Sequence, residues 1–338
     1  SSTLLGTRFT LTKPPPLLLV LVGLALALAA CTPPLVASPA TGQPGIAPAA
    51  SLAPTDIPPT PTRDRAAMTF DGRRALEHAA AQMEMGPRPT GSPASAEVAE
   101  YILAYLEEQG WETETQRFVY QGVQAQNLIA RKGEPGGPVY MFGAHYDTRR
   151  AADQDAESPE APVPGANDGA SGVAVLLELA RVVDVSQLGG EVWLLFFDAE
   201  DNGGLDGWEF IAGSRHFVSA MRDEPEYFVL VDMVGDADQQ LYLELNSDPA
   251  LQRHLWDLAA ELGYGEWFIP QPGYSMLDDH TPFLERDIPA VDIIDFDYPY
   301  WHTTEDTLDK LSAQSLERVG RVLEAFIESG GRYSDGVQ

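Results

Sequence analysis

The chain has 338 residues, 44% of them hydrophobic, which is enough for a sizeable core. It carries 21 Lys and Arg against 51 Asp and Glu, a formal net charge of −30, and a chain this acidic repels phosphate backbones, which argues against nucleic acid as a partner. Its single cysteine, Cys31, excludes an internal disulfide framework and any cysteine-based metal cage. In chain order, Arg8 and Lys13 precede an apolar run over residues 17–30. That run is shorter than the ~20 residues that span a hydrocarbon core, yet it fits the hydrophobic region of a secretory signal. Residues 32–66 are rich in Pro, Ala, Thr and Ser without apolar periodicity. Such a segment buries too little surface to fold and is expected to be an extended linker.

The apolar run ends in Leu28-Ala29-Ala30-Cys31, which resembles the lipobox of bacterial lipoproteins. The alternative is an ordinary signal peptide with an incidental cysteine. The resemblance implies a signal peptide over 1–30, a lipidated Cys31 opening a tether over 31–66, and a catalytic domain over 67–338. The protein is then expected to be exported and held on a membrane through a lipid anchor.

From Phe70 onward the pattern becomes structured. Asp71 is placed to cap a helix ending near Gly86, and Ser92 a second, amphipathic helix stopping at Gly110. Strands are expected over 114–120, 125–130 and 139–143, then a helix over 172–183 and a nearly all-apolar strand over 192–197. Further strands are expected over 228–233, 241–245 and 290–295, with helices over 250–262 and 315–327. Residues 151–162, acidic and containing proline, read as a surface loop. Apolar strands interleaved with amphipathic helices predict an α/β domain whose sheet is covered on both faces.

Polar residues recur just after these strands: His145 and Asp147, Glu200 and Asp201, Asp232, and His302. Open α/β sheets bind ligands at the carboxyl ends of their strands, so these residues are expected to converge on one crevice. Two histidines with several carboxylates suit a borderline metal such as zinc. His302 alone could equally be a satisfied surface residue, and Asp168, directly before a helix, could be a plain N-cap. Glu200-Asp201 is harder to explain structurally, because adjacent acids after a buried strand repel unless a cation or shared proton intervenes. A division of labour resolves this, one binding metal and the other handling protons. Asp232 and Asp278-Asp279 could be loop acids, and His78, His216 and His254 lie on helical patterns as structural or solvent-facing residues.

Four motifs in order, Gly143-Ala144-His145-Tyr146-Asp147-Thr148, Gly165-Ala166-Asn167-Asp168-Gly169-Ala170-Ser171-Gly172, Phe197-Asp198-Ala199-Glu200-Asp201 and Trp301-His302-Thr303, resemble those of metallopeptidase family 28. Gly86-Pro87-Arg88-Pro89-Thr90-Gly91-Ser92 is similar to that family's leading segment, and the resemblance runs from about Phe70 to Ile327. It implies a three-layer α/β domain of the zinc-exopeptidase kind, with a mixed, mostly parallel central sheet flanked by helices. It also implies zinc ligands Asp168, Asp201 and His302, with Glu200 as the proton-transfer residue. In the family's aminopeptidases a second zinc would be held by His145 and Asp232, with Asp168 bridging.

The family holds two chemistries, both acting on the N-termini of peptides or proteins: aminopeptidases remove N-terminal residues, and glutaminyl cyclases convert N-terminal glutamine to pyroglutamate. Trp208 and Trp301 resemble the aromatic walls of a cyclase pocket, and Asp278-Asp279-His280, Gly213-Ser214-Arg215-His216 and an Asp at 201 resemble the cyclase pattern. The loop 167–172 is closer to the aminopeptidases, and the presence of His145 and Asp232 decides little. The resemblance favours a zinc-dependent glutaminyl-peptide cyclotransferase, with Glu200, Asp232 and Asp278 catalytic and Trp208 and Trp301 on the substrate. A zinc aminopeptidase is the alternative. An inactive binding module on the same fold is a third reading, against which the intact ligand set and Glu200 argue.

Overall fold

The computed structural model describes residues 68–334; the signal, Cys31 and the linker lie outside them. Capping sets the first two helices as expected. The Asp71 side chain accepts from the Arg73 amide at the start of α1 (Gly72–Met85), and Ser92 accepts from the Ser95 amide at α2 (Pro93–Glu108). β1 (Glu112–Tyr120) and β2 (Val123–Gly133) form a hairpin. Its turn residues Gln121 and Gly122 have φ of 49° and 80°, the positive values that match strand twist in a two-residue turn. The chain continues through β3 (Val139–His145), α3 (Ala170–Val182), β4 (Glu191–Phe197), α4 (Ala212–Ala220) and β5 (Tyr227–Asp232). It ends through β6 (Leu241–Leu243), α5 (Pro249–Glu261), β7 (Phe268–Pro272), α6 (Thr281–Leu284), β8 (Ala290–Ile294) and α7 (Ala313–Glu328).

Six strands form one mixed sheet in the order β1-β2-β4-β3-β5-β8. β4, β3, β5 and β8 run parallel, while β1 and β2 are antiparallel at one edge. The parallel strands are buried along almost their whole length, which is what a sheet covered on both faces requires, and successive side chains enter opposite layers. Tyr140, Phe142, Val192, Leu194, Val229 and Val231 join one apolar cluster with side chains of α1, α3 and α7. Met141, Trp193, Leu195, Phe228 and Leu230 join a second with Phe217 of α4 and Phe283 of α6. The chain passes from β3 through α3 to β4 on one side, then through α4 to β5 on the other side of β3. β3 is therefore the topological switch point, and the crevice opens at its carboxyl end.

Four elements differ from expectation, among them the single-turn α6, for which no helix was expected. The strand expected over 241–245 is β6, only three residues long, and it pairs with β7 in a separate two-stranded sheet. β7 was not predicted because its sequence, Phe268-Ile269-Pro270-Gln271-Pro272, carries two prolines that demote a strand. α4 carries the helical pattern on which His216 lies, but Gly213 and Ser214 weaken its signal, so the sequence sets it no bounds.

Candidate active site and metal centre

Five buried side chains meet at the carboxyl ends of the strands. Asp168 lies between the two histidines, with Oδ1 3.1 Å from His145 Nε2 and Oδ2 3.7 Å from His302 Nε2. Asp232 Oδ1 is 3.1 Å from His145 Nε2, and Asp201 Oδ1 is 2.9 Å from His302 Nε2. The result is two triads, His145/Asp168/Asp232 and Asp168/Asp201/His302, each with its ligand atoms within 4.8 Å of one another. The glycines of the 165–172 loop permit this approach. A Cβ on Gly169 would lie 2.4 Å from the His145 carbonyl oxygen, and one on Gly172 2.2 Å from that of Val231.

Asp168 Oδ2 and Asp201 Oδ2 are buried without a hydrogen-bond partner. An unpaired buried carboxylate oxygen is costly, and a cation between these oxygens and His302 removes that cost. The nitrogen and oxygen donors suit a borderline divalent metal, so the residues fit the group. In the other triad, His145 Nε2 has a carboxylate oxygen at hydrogen-bonding distance on either side. Burial alone would lower the His145 pKa, but the charge of Asp232 and contacts with Asp147, Asp168 and Asp232 raise it well above 6.5.

Glu200 stands beside these triads without joining either. Ala199 adopts a left-handed φ of 58°, and the Asp147 carboxylate accepts from both the Glu200 amide (3.1 Å) and the Asp201 amide (3.3 Å). One buried side chain thus orients the proton-transfer candidate and a ligand together. Burial is the main cause holding the Glu200 carboxyl well above its usual range, and Asp201, Asp278 and Asp279 add to it against His145. A cavity of about 230 Å³ opens over this cluster, with Glu200, Asp232 and Asp278 at its polar end. Its apolar wall includes Phe210, Met276, Phe296 and Trp301. The Trp301 ring stacks on His302 at 3.7 Å and meets the edge of Phe296 at 5.1 Å. The volume lies below the roughly 300–1,000 Å³ of pockets for drug-sized ligands, so it suits one residue better than an extended peptide.

The sequence of residues 127–327 matches the family model of Peptidase family M28. The chain belongs to that family. Among its relatives, the glutaminyl-peptide cyclotransferase-like protein of Bos taurus is 28% identical over 287 residues, covering 71% of each chain. Among solved structures, a leucine aminopeptidase precursor from Bacteroides thetaiotaomicron superposes with a TM-score of 0.73 at 30% identity, covering 77% of this chain and 97% of that one. A glutaminyl cyclase from the same organism, solved with N-acetylhistamine, gives a TM-score of 0.72 at 30% identity, with coverages of 77% and 98%. The M28 fold therefore carries both names at equal likeness, and the site must separate them.

Within this M28 site, Asp168, Asp201, His302, His145, Asp232, Glu200, Asp278 and Trp301 come together as the sequence suggests. Trp208 does not. It packs under the β1–β2 hairpin with Phe118, Ala199 and Ala212 and stands edge-on to Tyr120, because the tight turn at residues 204–208 folds it inward. Phe210 is the aromatic side chain from this segment that reaches the cavity. Asp278 lies near Asp232, and burial first, then the charge of Asp232, raises its carboxyl to about 7. His78, His216 and His254 are structural as expected: His78 contacts Tyr101, His216 stacks on Phe118, and His254 lies against Phe326.

Two supporting residues had no role in the sequence reading. The buried Arg88 donates to the carbonyls of Tyr146, Pro164 and Gly165, bracing the loop that carries Asp168. Asp306 accepts from the Asn167 and Asp168 amides at 2.8 and 3.2 Å and from the Tyr298 hydroxyl at 2.7 Å. The only signal for either was its place inside or beside a motif, Arg88 between two prolines and Asp306 four residues past His302.

Proposed function

We propose that this chain is a zinc-dependent glutaminyl-peptide cyclotransferase, closing the N-terminal glutamine of a peptide to pyroglutamate with release of ammonia. The observation that carries this reading is the small cavity, apolar and aromatic along one wall and ending at Glu200, Asp232 and Asp278. Such a site can fold a glutamine side chain back onto its own amine and hold the two groups in near-attack geometry. Zinc, when held by Asp168, Asp201 and His302, supplies a Lewis acid toward the side-chain carbonyl. Glu200 takes a proton from the α-amine as its nitrogen bonds to that carbon. It returns the proton to the side-chain nitrogen as that carbon–nitrogen bond breaks. Asp232 and Asp278 accept hydrogen bonds from the α-amino group and hold the intermediate, and Trp301 packs against the glutamine methylenes.

The second reading, a zinc aminopeptidase, is favoured by one specific feature, the two triads sharing Asp168. Purified protein given a Gln-initiated and a Leu-initiated peptide separates the two. We expect ammonia from the first, little free leucine from the second, and about one tightly bound zinc per chain, held by few protein ligands beside an open position. Rapid leucine release with two zinc ions replaces the cyclase by the aminopeptidase.

We also propose that the protein is exported and anchored through a lipid on Cys31, which supports a substrate range of peptide or protein N-termini outside the cytoplasm. The support is the position of the only cysteine at the end of the apolar run over 17–30. Full-length protein in a bacterial host should label with a palmitate analogue. A Cys31→Ala variant that labels equally well rules the anchor out.

A further inference from the structure

The acidic segment 151–162, which reads in the sequence as a surface loop, is tied to the metal centre. The Gln154 amide donates to the His302 carbonyl at 3.3 Å, and the Asp155 carboxylate accepts from both the amide and the hydroxyl of Thr304. The loop is closed at its base by the Ala152 amide on the Ala161 carbonyl and the Val163 amide on the Arg149 carbonyl. The segment it holds needs holding, because His302 has a left-handed φ of 56°, an unfavourable backbone for a residue with a side chain.

Asp153 extends this clasp to the His302 ring. With Nε2 of His302 turned toward Asp168 and Asp201, its Nδ1 is buried without a hydrogen bond, and Asp153 Oδ1 stands 3.4 Å away. Asp153 is itself held by Arg149, whose Nε and Nη2 donate to its two oxygens at 2.8 and 2.7 Å. Arg149 is almost fully buried and also donates to the Asp201 carbonyl at 2.7 Å and the Gly203 carbonyl at 3.1 Å. One pair thus joins the backbone of one ligand to the ring of another. The same layout serves the other histidine, where Asp147 Oδ1 lies 3.6 Å from His145 Nδ1 and the Asp147 carboxylate holds the Asp201 amide.

We propose that Asp153, braced by Arg149, is a positioning residue for the metal: it accepts a hydrogen bond from Nδ1–H of His302, which fixes the tautomer with a free Nε2 lone pair and locks that ring to Asp201. A carboxylate behind a ligating imidazole sets its orientation and raises its basicity. The inference rests on the reading of Asp168, Asp201 and His302 as the metal set, and not on which product the enzyme makes.

The test is zinc affinity of the resting protein, measured by stripping the metal and titrating Zn²⁺ alone against a competing chelator. Asp153→Ala is expected to weaken zinc binding by about 10–100-fold, the usual effect of removing such a partner. Asp153 is exposed to solvent, so its loss should leave the fold intact, which circular dichroism checks. Asp153→Asn retains an oxygen that can accept from Nδ1 and should recover most of the affinity. Glu160→Gln, an exposed change on the same loop, should bind zinc as the wild type does. Wild-type affinity in Asp153→Ala overturns the proposal, as does an Asn variant as weak as the Ala variant, or an equal loss in Glu160→Gln. Failure of the wild-type protein to bind zinc overturns instead the metal reading on which the proposal rests.

Discussion

Replacing Glu200 by Gln is expected to lower kcat by about 10²–10⁴-fold, the range for a positioned acid–base group, while bound metal and KM stay near wild type. Glutamine keeps the volume of the side chain but cannot accept and return a proton. The hydrogen bonds that place residue 200 are made by its backbone: its amide donates to Asp147 and its carbonyl accepts from the Ile211 amide at 3.0 Å, while its carboxylate stands 4.0 Å from His145 Nδ1. The substitution touches neither hydrogen bond, so Asp201, one residue on, keeps its position against His302. Because Glu200 belongs to neither triad, metal content should not follow activity downward. An equal fall in kcat and kcat/KM marks a group used only in the transition state. Steady-state kinetics with ammonia as the product signal, alongside metal analysis by mass spectrometry, give both numbers. A variant with wild-type kcat removes Glu200 from proton transfer, and one that has lost its metal makes it a ligand.

The parts of this site that were legible in the sequence are those whose residue type conflicts with its surroundings. Glu200-Asp201 after the nearly all-apolar β4 could not be reconciled with burial without a cation or a proton, and the structure places both acids along the polar end of the crevice. The Gly-rich loop at 165–172 was legible for a similar reason, since Gly169 and Gly172 approach neighbouring backbone too closely for any side chain. What stayed hidden depends on long-range contacts. Arg88 acts through carbonyls of residues 146, 164 and 165, and Asp306 through amides 139 and 138 residues away, so neither leaves a local pattern. The segment 151–162 is the surface loop its acidity and proline suggest, but composition could not show its contacts with residues 302–304. Trp208 was misplaced for the same reason. An aromatic residue after the acid pair suggests a pocket wall, but the hairpin formed by β1 and β2 offers it Phe118 and Tyr120 to pack against.

Replacing His302 by Ala is expected to abolish tight metal binding and nearly all activity, whereas replacing His145 by Ala distinguishes one metal from two. The asymmetry comes from the unpaired oxygens. Among the triad carboxylates the unpaired buried atoms are Asp201 Oδ2 and Asp168 Oδ2, and Asp168 turns Oδ2 toward His302 at 3.7 Å and its paired Oδ1 toward His145. Removing the His302 imidazole leaves a metal with two carboxylates in place of the three protein ligands a catalytic site normally uses. It also leaves Asp168 and Asp201 facing each other in a buried site, with burial first and then Asp168 raising the Asp201 carboxyl to about 6. The variant should therefore lose stability as well as zinc. A metal that binds only the folded state contributes about 4 kcal/mol at a thousand-fold excess over its Kd. At roughly 2–4 °C per kcal/mol for a domain of this size, its loss lowers Tm by about 8–16 °C. Chelation of the wild-type protein should produce the same fall, and chelator should add little to His302→Ala. His145 is different, because Asp168 and Asp232 already flank its Nε2 and neither oxygen of Asp232 is among the buried unpaired atoms. A single-metal cyclase should keep about one zinc per chain in His145→Ala, while a two-metal aminopeptidase should fall from two to one. Full zinc occupancy and full rate in His302→Ala would remove the metal centre from Asp168, Asp201 and His302 altogether.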